Sequence, residues 1–125
     1  MEILDKIKFN YSEALNPKSE PCTKEHIIFN CRISYNRKYY SFEYQCNPNY
    51  DIPRIERVLE CLLSDMECFD NSKNFYDFAL VLGYDSESEE AKKVYKACRK
   101  TSKALHRLFK DYEISMIDED IFYRC

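Results

Sequence analysis

A run of cations in the second half of the chain is the feature best suited to bind another molecule. Residues 91–110 carry eight Lys or Arg and no Asp or Glu. Amines and guanidinium groups at helical spacing can contact successive phosphates or carboxylates. The run therefore predicts a binding face for nucleic acid or for an acidic protein surface, formed by Lys92, Lys96, Arg99, Lys103 and Lys110.

The rest of the chain has the opposite charge. The whole sequence has 19 basic and 22 acidic residues, so the part outside residues 91–110 carries 11 basic and 22 acidic residues, a net charge of −11. A small acidic protein can occupy a nucleic-acid channel of another protein by placing carboxylates where phosphates would lie. The candidate acidic surface comprises Asp85, Glu87, Glu89, Glu90, Asp118, Glu119 and Asp120.

Less specific interpretations of both charged surfaces stay open. The cationic face can simply be solvated, or it can pair within the chain with Asp118–Asp120. It can also meet the acidic surface of a second copy, which would be self-association. The acidic surface, for its part, can serve only solubility.

Catalytic and metal-binding motifs are lacking. The chain has one Gly, which excludes phosphate-cradling loops, and neither HExxH nor GxSxG occurs. Its histidines are His26 and His106, and no two cysteines form a CxxC pair. Cys22 with His26 is at best half of a metal site. We expect a non-enzymatic protein without cofactor or metal, with free thiols at Cys22, Cys31, Cys46, Cys61, Cys68, Cys98 and Cys125.

The element predicted most sharply is a hairpin of strands 26–35 and 39–46. Apolar residues alternate in both segments, and a two-residue turn at Asn36-Arg37 opposes them on one face. The pairs are then Ile33–Tyr40, Cys31–Phe42, Phe29–Tyr44 and Ile27–Cys46. Arg tolerates the left-handed conformation less well than Asn, which leaves a longer turn open. Tyr40 and Tyr44 are expected in the core rather than on a base-stacking platform.

Three helices are predicted after the hairpin, at about 53–69, 73–82 and 87–112. Pro53 is expected in the first turn of the first helix, and Gly83 as the left-handed cap of the second. Ser86 with Glu89 forms a capping box for the third. With a further strand within Ile3–Tyr11, the chain reads as a single α+β domain, 1–125. It has a β-rich part (1–50), a helical part (51–112) and an acidic tail or edge strand (113–125).

The second half resembles a group of small accessory proteins of phages and bacterial mobile elements, over roughly residues 25–110. The similar segments are Cys61–Asp65, Phe75–Phe78, Leu82–Ser86, Ala91 with Tyr95–Cys98, and Leu105–Phe109. The chain departs from the group's pattern at Leu80–Leu82, where the short helix is usually more acidic.

This resemblance implies a protein that acts by stoichiometric binding. Many such proteins inhibit host defence nucleases, including CRISPR effectors, so an anti-CRISPR-like inhibitor is the leading expectation. A nucleic-acid-binding accessory protein is the alternative. No apolar run of about 20 residues occurs, and MEILDKIKF does not read as a signal peptide. We therefore expect the cytoplasm of a bacterial host and no membrane partner.

Overall fold

The computed structural model describes residues 3–13, 27–47, 52–110 and 114–124. In chain order, these residues form a short 3-10 helix, a three-stranded antiparallel sheet and four α-helices, which confirms the predicted α+β class. The bounds are Ile3–Lys6 for the 3-10 helix, Lys8–Glu13 for β1, Ile27–Tyr35 for β2, Lys38–Cys46 for β3, Ile55–Asp70 for α1, Phe75–Leu82 for α2, Glu89–Leu108 for α3 and Ile114–Arg124 for α4.

The hairpin has the predicted register. Ile33 opposes Tyr40 and Cys31 opposes Phe42, and the two outer pairs also match the prediction. The turn has two residues, so the longer turn is wrong. Asn36 and Arg37 have φ angles of 49° and 66°. Two consecutive left-handed residues are typical of the type I′ turn, whose twist matches that of the strands.

The third strand is present but starts later than predicted. Residues Ile3–Lys6 form the 3-10 helix, and β1 begins at Lys8. Phe9 opposes Ile33 and Tyr11 opposes Cys31, so the apolar residues of β1 share the core face of β2. The strand order is β1-β2-β3, which leaves β1 and β3 as the edges.

The core lies between one face of the sheet, α1 and α3. Ile33 of the central strand packs in one cluster with residues of both helices, all buried: Val58, Leu59, Leu62, Leu63, Met66, Leu105 and Leu108. The first predicted helix is confirmed as α1, but it begins at Ile55. Arg54 occupies the N-cap and Pro53 precedes it rather than lying in the first turn. Proline is tolerated there because no intrahelical hydrogen bond is needed.

Polar side chains cap the N-termini of α2 and α3, and a glycine ends α2. Asn74 accepts a hydrogen bond from the Asp77 amide at the start of α2, and Gly83 ends that helix with φ 77°. The amide of Tyr84 donates to the Ala79 carbonyl, as in a Schellman motif. The predicted capping box of Ser86 with Glu89 is wrong. Ser88 is the N-cap of α3 and accepts from the Ala91 amide, and α3 ends at Leu108 rather than 112.

The acidic C-terminal segment is a helix, so the predicted edge strand or extended tail is wrong. In α4, Ile117 and Ile121 are buried because residues four apart lie on the same side of a helix. A carboxylate oxygen of Asp120 accepts a hydrogen bond from the Leu4 amide at 3.3 Å. The helix packs on the 3-10 helix and on α1.

Across the described ranges, no helix has the length and apolar character needed to cross a membrane.

The turn of the hairpin yields a stability prediction. Left-handed backbone costs a non-glycine residue roughly 1–2 kcal/mol, and Asn-Gly is the favoured type I′ pair. We expect Arg37→Gly to raise the free energy of unfolding by up to about 1 kcal/mol. Gly83→Ala, at φ 77° with no atom near the added methyl group, should lower it by a similar amount. Urea titrations of both variants measure the changes, and a destabilised Arg37→Gly would contradict the strain argument.

Candidate binding surfaces

The predicted cationic stripe is exposed along α3. Lys92, Lys96, Arg99 and Lys103 lie on the helix, and Lys110 lies in the turn that follows it. The opposite side of α3 is fixed in the core by Ala91, Cys98, Thr101, Leu105 and Leu108, all buried. The positive charges are therefore held on a rigid scaffold and point to solvent.

Most of these cations have no acidic partner among the described residues. Lys92 forms an ion pair with Glu89 at 3.5 Å, but both side chains are largely exposed and such pairs contribute little. Pairing with the acidic C-terminal segment is not seen in the described part of the chain, where Glu119 is exposed and Asp120 bonds to Leu4. The side chain of Asp118 lies outside what the structure describes.

A second cationic site lies where the β3 edge meets α3. Arg37 and Lys38 from the hairpin and Lys100 and Arg107 from α3 line one groove, together with Tyr39, Tyr40 and Ser41. A guanidinium nitrogen of Arg107 donates to the Tyr39 carbonyl at 2.6 Å, and Lys38 Nζ donates to the Arg107 carbonyl at 3.2 Å. The sequence did not predict this site, because it joins positions more than sixty residues apart.

The tyrosines of the hairpin lie on both faces of the sheet. Tyr40 and Tyr44 are half-buried against the core, as predicted, and the Tyr40 hydroxyl is 3.3 Å from the Thr101 hydroxyl. Tyr39 points to the other face and is 51% exposed. The guanidinium carbon of Arg32 lies 4.0 Å from the centre of its ring, a cation–π contact. Tyr39 is thus an ordered aromatic surface beside the groove.

Helix α2 exposes a large apolar surface. Its inner residues Phe75 and Phe78 contact the Tyr95 ring of α3, with ring centres 5.3 and 5.0 Å apart. On the outside, Tyr76, Leu80 and Val81 are 71%, 80% and 72% exposed. Leu82, the last residue of the helix, is 40% exposed. Seven of the eight residues in FYDFALVL are apolar, which is more than one buried helix face can hold. This composition was the sign in the sequence that α2 would expose apolar side chains.

The predicted acidic surface divides into two parts. Asp85, Glu87, Glu89 and Glu90 are all exposed in the segment that joins α2 to α3 and in the first turn of α3. They follow directly on the exposed apolar residues of α2. Glu119 and Asp120 lie instead on α4. The structure therefore brings the first acidic group, and not the second, next to α2 along the chain.

A serine, an aspartate and a histidine meet between α1 and α3. The Ser102 hydroxyl donates to one carboxylate oxygen of Asp70 at 2.6 Å, and His106 Nε2 lies 2.8 Å from the other. In a hydrolase triad the imidazole lies between the serine and the carboxylate. Here the carboxylate is in the middle, so the imidazole does not take the place of a base for Ser102. The cluster links the two helices.

The described cysteines are free thiols, and Cys31, Cys61 and Cys98 lie in surroundings that disfavour the thiolate. Cys31, Cys46 and Cys98 are buried, and Cys61 and Cys68 are more accessible. Burial raises the pKa of Cys31 to about 12 and that of Cys98 to about 11. Burial, with Asp65 nearby, also raises the pKa of Cys61. These thiols are protonated at neutral pH. Cys22, His26 and Cys125 lie outside the described residues, within which no metal-binding group of three ligands occurs.

Comparisons with known proteins do not help to interpret these surfaces. No family model, no curated protein and no solved structure matches the chain.

The buried thiols predict how stability depends on pH. An unfolded thiol ionises near pH 8.5, whereas Cys98 in the folded protein holds its proton to about pH 11. The folded state therefore binds more protons between these values, and stability falls as the pH rises through that window. Each such thiol can lower the free energy of unfolding by at most about 1.4 kcal/mol per pH unit.

Urea titrations from pH 8 to 10.5 under reducing conditions measure this slope. Cys98→Ala should show a shallower fall than the parent, because one of the contributing thiols is gone. Equal slopes in the two proteins would contradict the assignment to Cys98.

Proposed function

We propose that this chain is a non-enzymatic accessory protein that binds a protein partner stoichiometrically through α2 and the acidic segment after it. The observation that carries the proposal is the exposed apolar surface of Tyr76, Leu80 and Val81. Large apolar side chains that are exposed together on one short helix often mark a surface that binds something. An apolar centre beside a polar segment is also the usual anatomy of a protein interface.

The energetics favour α2 as the centre of the interface. Fully burying a side chain such as Leu or Val contributes about 1.5–3 kcal/mol, and aromatic residues dominate many interfaces. Charged residues at the edge of an interface add orientation and association rate more than affinity. In this arrangement Leu80 and Val81 supply affinity, while Asp85, Glu87 and Glu90 select a partner with cations around an apolar recess.

The partner class follows from this chemistry together with the resemblance described above. Nucleases carry cationic channels that guide phosphates, and an acidic protein that docks beside such a channel blocks it. We therefore propose a host defence nuclease, such as a CRISPR effector, as the partner, and the bacterial cytoplasm as the place of action. The acidic segment would act there as the nucleic-acid mimic.

A phage-protection assay tests this proposal. Expression of the chain in bacteria with an active CRISPR–Cas system should raise the plaque count of a targeted phage, and a pull-down should recover the effector. Leu80→Asp with Val81→Asp should weaken binding at least about tenfold, as expected for losing one buried side chain. Met116→Asp is the matched control, because Met116 is an exposed apolar residue of α4. Recovery of no defence component together with no protection would overturn the proposal.

Nucleic-acid binding through α3 is the second candidate. It is favoured by the positive charges of Lys96, Arg99, Lys103 and Lys110, which have no acidic partner among the described residues. Each phosphate neutralised by such a side chain releases about one counterion, so binding would be steeply dependent on salt.

A mobility-shift series with duplex DNA tests this second candidate. Binding at 50 mM salt should weaken by about 10³ at 200 mM if six phosphates are contacted. Lys96→Gln with Lys103→Gln should reduce the salt slope by about two. An absence of any shift at 50 mM salt would exclude it.

A further inference from the structure

The groove between the β3 edge and α3 carries four positive charges without a negative one. Arg37, Lys38, Lys100 and Arg107 line it. The hydrogen bonds that Arg107 and Lys38 donate go to backbone carbonyls. A carbonyl orients a cation but leaves its charge uncompensated. The groove is therefore a preorganised site for a polyanion.

The backbone conformation of Arg37 is a second, independent indication that a positive charge at this position serves a function. Arg37 lies at φ 66°, where glycine fits better and arginine is strained. Local rules of this kind are broken most often where a side chain serves a function. From this strained position Arg37 contributes to the lining of the groove.

The exposed ring of Tyr39 distinguishes between kinds of polyanion. Arg32 holds the ring through a cation–π contact, and half of the residue is accessible. An aromatic ring beside phosphate-binding cations is the arrangement on which single-stranded nucleic acid binds, because each unpaired base can stack. An acidic peptide would pair with the cations but gain little from the ring, and the bases of a duplex are already stacked.

We propose that this groove binds single-stranded nucleic acid, with phosphates at Arg37, Lys38, Lys100 and Arg107 and a base stacked on Tyr39. The site goes beyond the protein-docking surface of α2. It adjoins the exposed stripe considered above for duplex DNA, because Lys96 and Lys103 lie within about one helical turn of Lys100. The groove differs from the stripe in its hairpin residues Arg37, Lys38 and Tyr39, whose variants test it separately.

Fluorescence anisotropy of the full chain with a labelled 12-nucleotide strand, as DNA and as RNA, is the direct test. At 50 mM salt, Arg37→Gln with Lys100→Gln should weaken binding about tenfold or more. The matched control, Lys6→Gln with Lys73→Gln, removes the same charge from exposed lysines outside α3 and should change affinity less than about threefold. Tyr39→Leu should cost about five- to tenfold, whereas Tyr39→Phe should bind like the parent.

Arg37→Gly separates binding from folding, because it relieves the strained turn while removing the charge. We expect this variant to have a higher urea midpoint and weaker oligonucleotide binding. Unlabelled duplex of equal length and polyglutamate of equal charge serve as competitors, and both should compete poorly.

Four results would overturn the proposal. They are no binding at 50 mM salt, equal losses in the groove and control variants, competition by polyglutamate as strong as by the oligonucleotide, and competition by duplex as strong as by the single strand. Equal losses would mean that the strand responds to the total charge of the protein and not to the groove, and strong competition by polyglutamate would make the groove an acidic-peptide site. The protein-docking proposal for α2 is unaffected by any of these outcomes.

Discussion

The packing of one apolar stripe of α3 against α1 and the sheet decides where the charges of the second half lie. Leu105 and Leu108 join the cluster that contains Leu59, Leu63 and Ile33. With that side of α3 fixed, the cations of residues 92–107 can only point outward or toward the β3 edge. Since a helix rotates by a constant angle per residue, moving the buried stripe by one residue would bring lysines into the core. The electrostatic layout is thus a consequence of core packing.

Two surfaces of different character result from this arrangement. Around α2 the chain presents apolar side chains next to carboxylates, whereas α3 and the hairpin present cations next to an aromatic ring. Apolar burial supplies affinity that salt hardly affects, and phosphate contacts supply affinity that salt removes. Binding at the two proposed surfaces would therefore depend differently on ionic strength, so salt titration separates the two proposals in one protein.

Features that depend on neighbouring residues in the chain could be predicted from the sequence. The register of β2 and β3 followed from apolar alternation on both sides of a two-residue turn, since a shift of one residue would turn the apolar side chains of Phe29 and Cys31 to the wrong face. The exposed stripe of α3 followed from helical spacing. The capping residue of α3 could not be predicted in the same way. Ser86 and Ser88 are both serines just before the helix, and Glu89, three residues after Ser86, favoured the wrong one. In the structure Ser88 is the N-cap.

Features that depend on contacts between distant parts of the chain could not be predicted from the sequence. The groove needs Arg37 beside Lys100, and nothing local in either segment encodes that contact. The acidic character of Asp118–Asp120 suggested a solvated tail, but Ile117 and Ile121 lie on the same side of a helix and bury against the rest of the protein. On α2, the apolar composition alone does not say which side chains are exposed, because a helix of eight residues at the surface can bury only part of its circumference.

The contact between Asp120 and Leu4 joins residues 116 positions apart, so the two ends of the described chain lie together. Leu4, Ile117 and Ile121 belong to the main core cluster, so apolar burial holds this junction together with the hydrogen bond. A change that weakens the packing of α4 would therefore also loosen the 3-10 helix, although the two elements lie at opposite ends of the described chain.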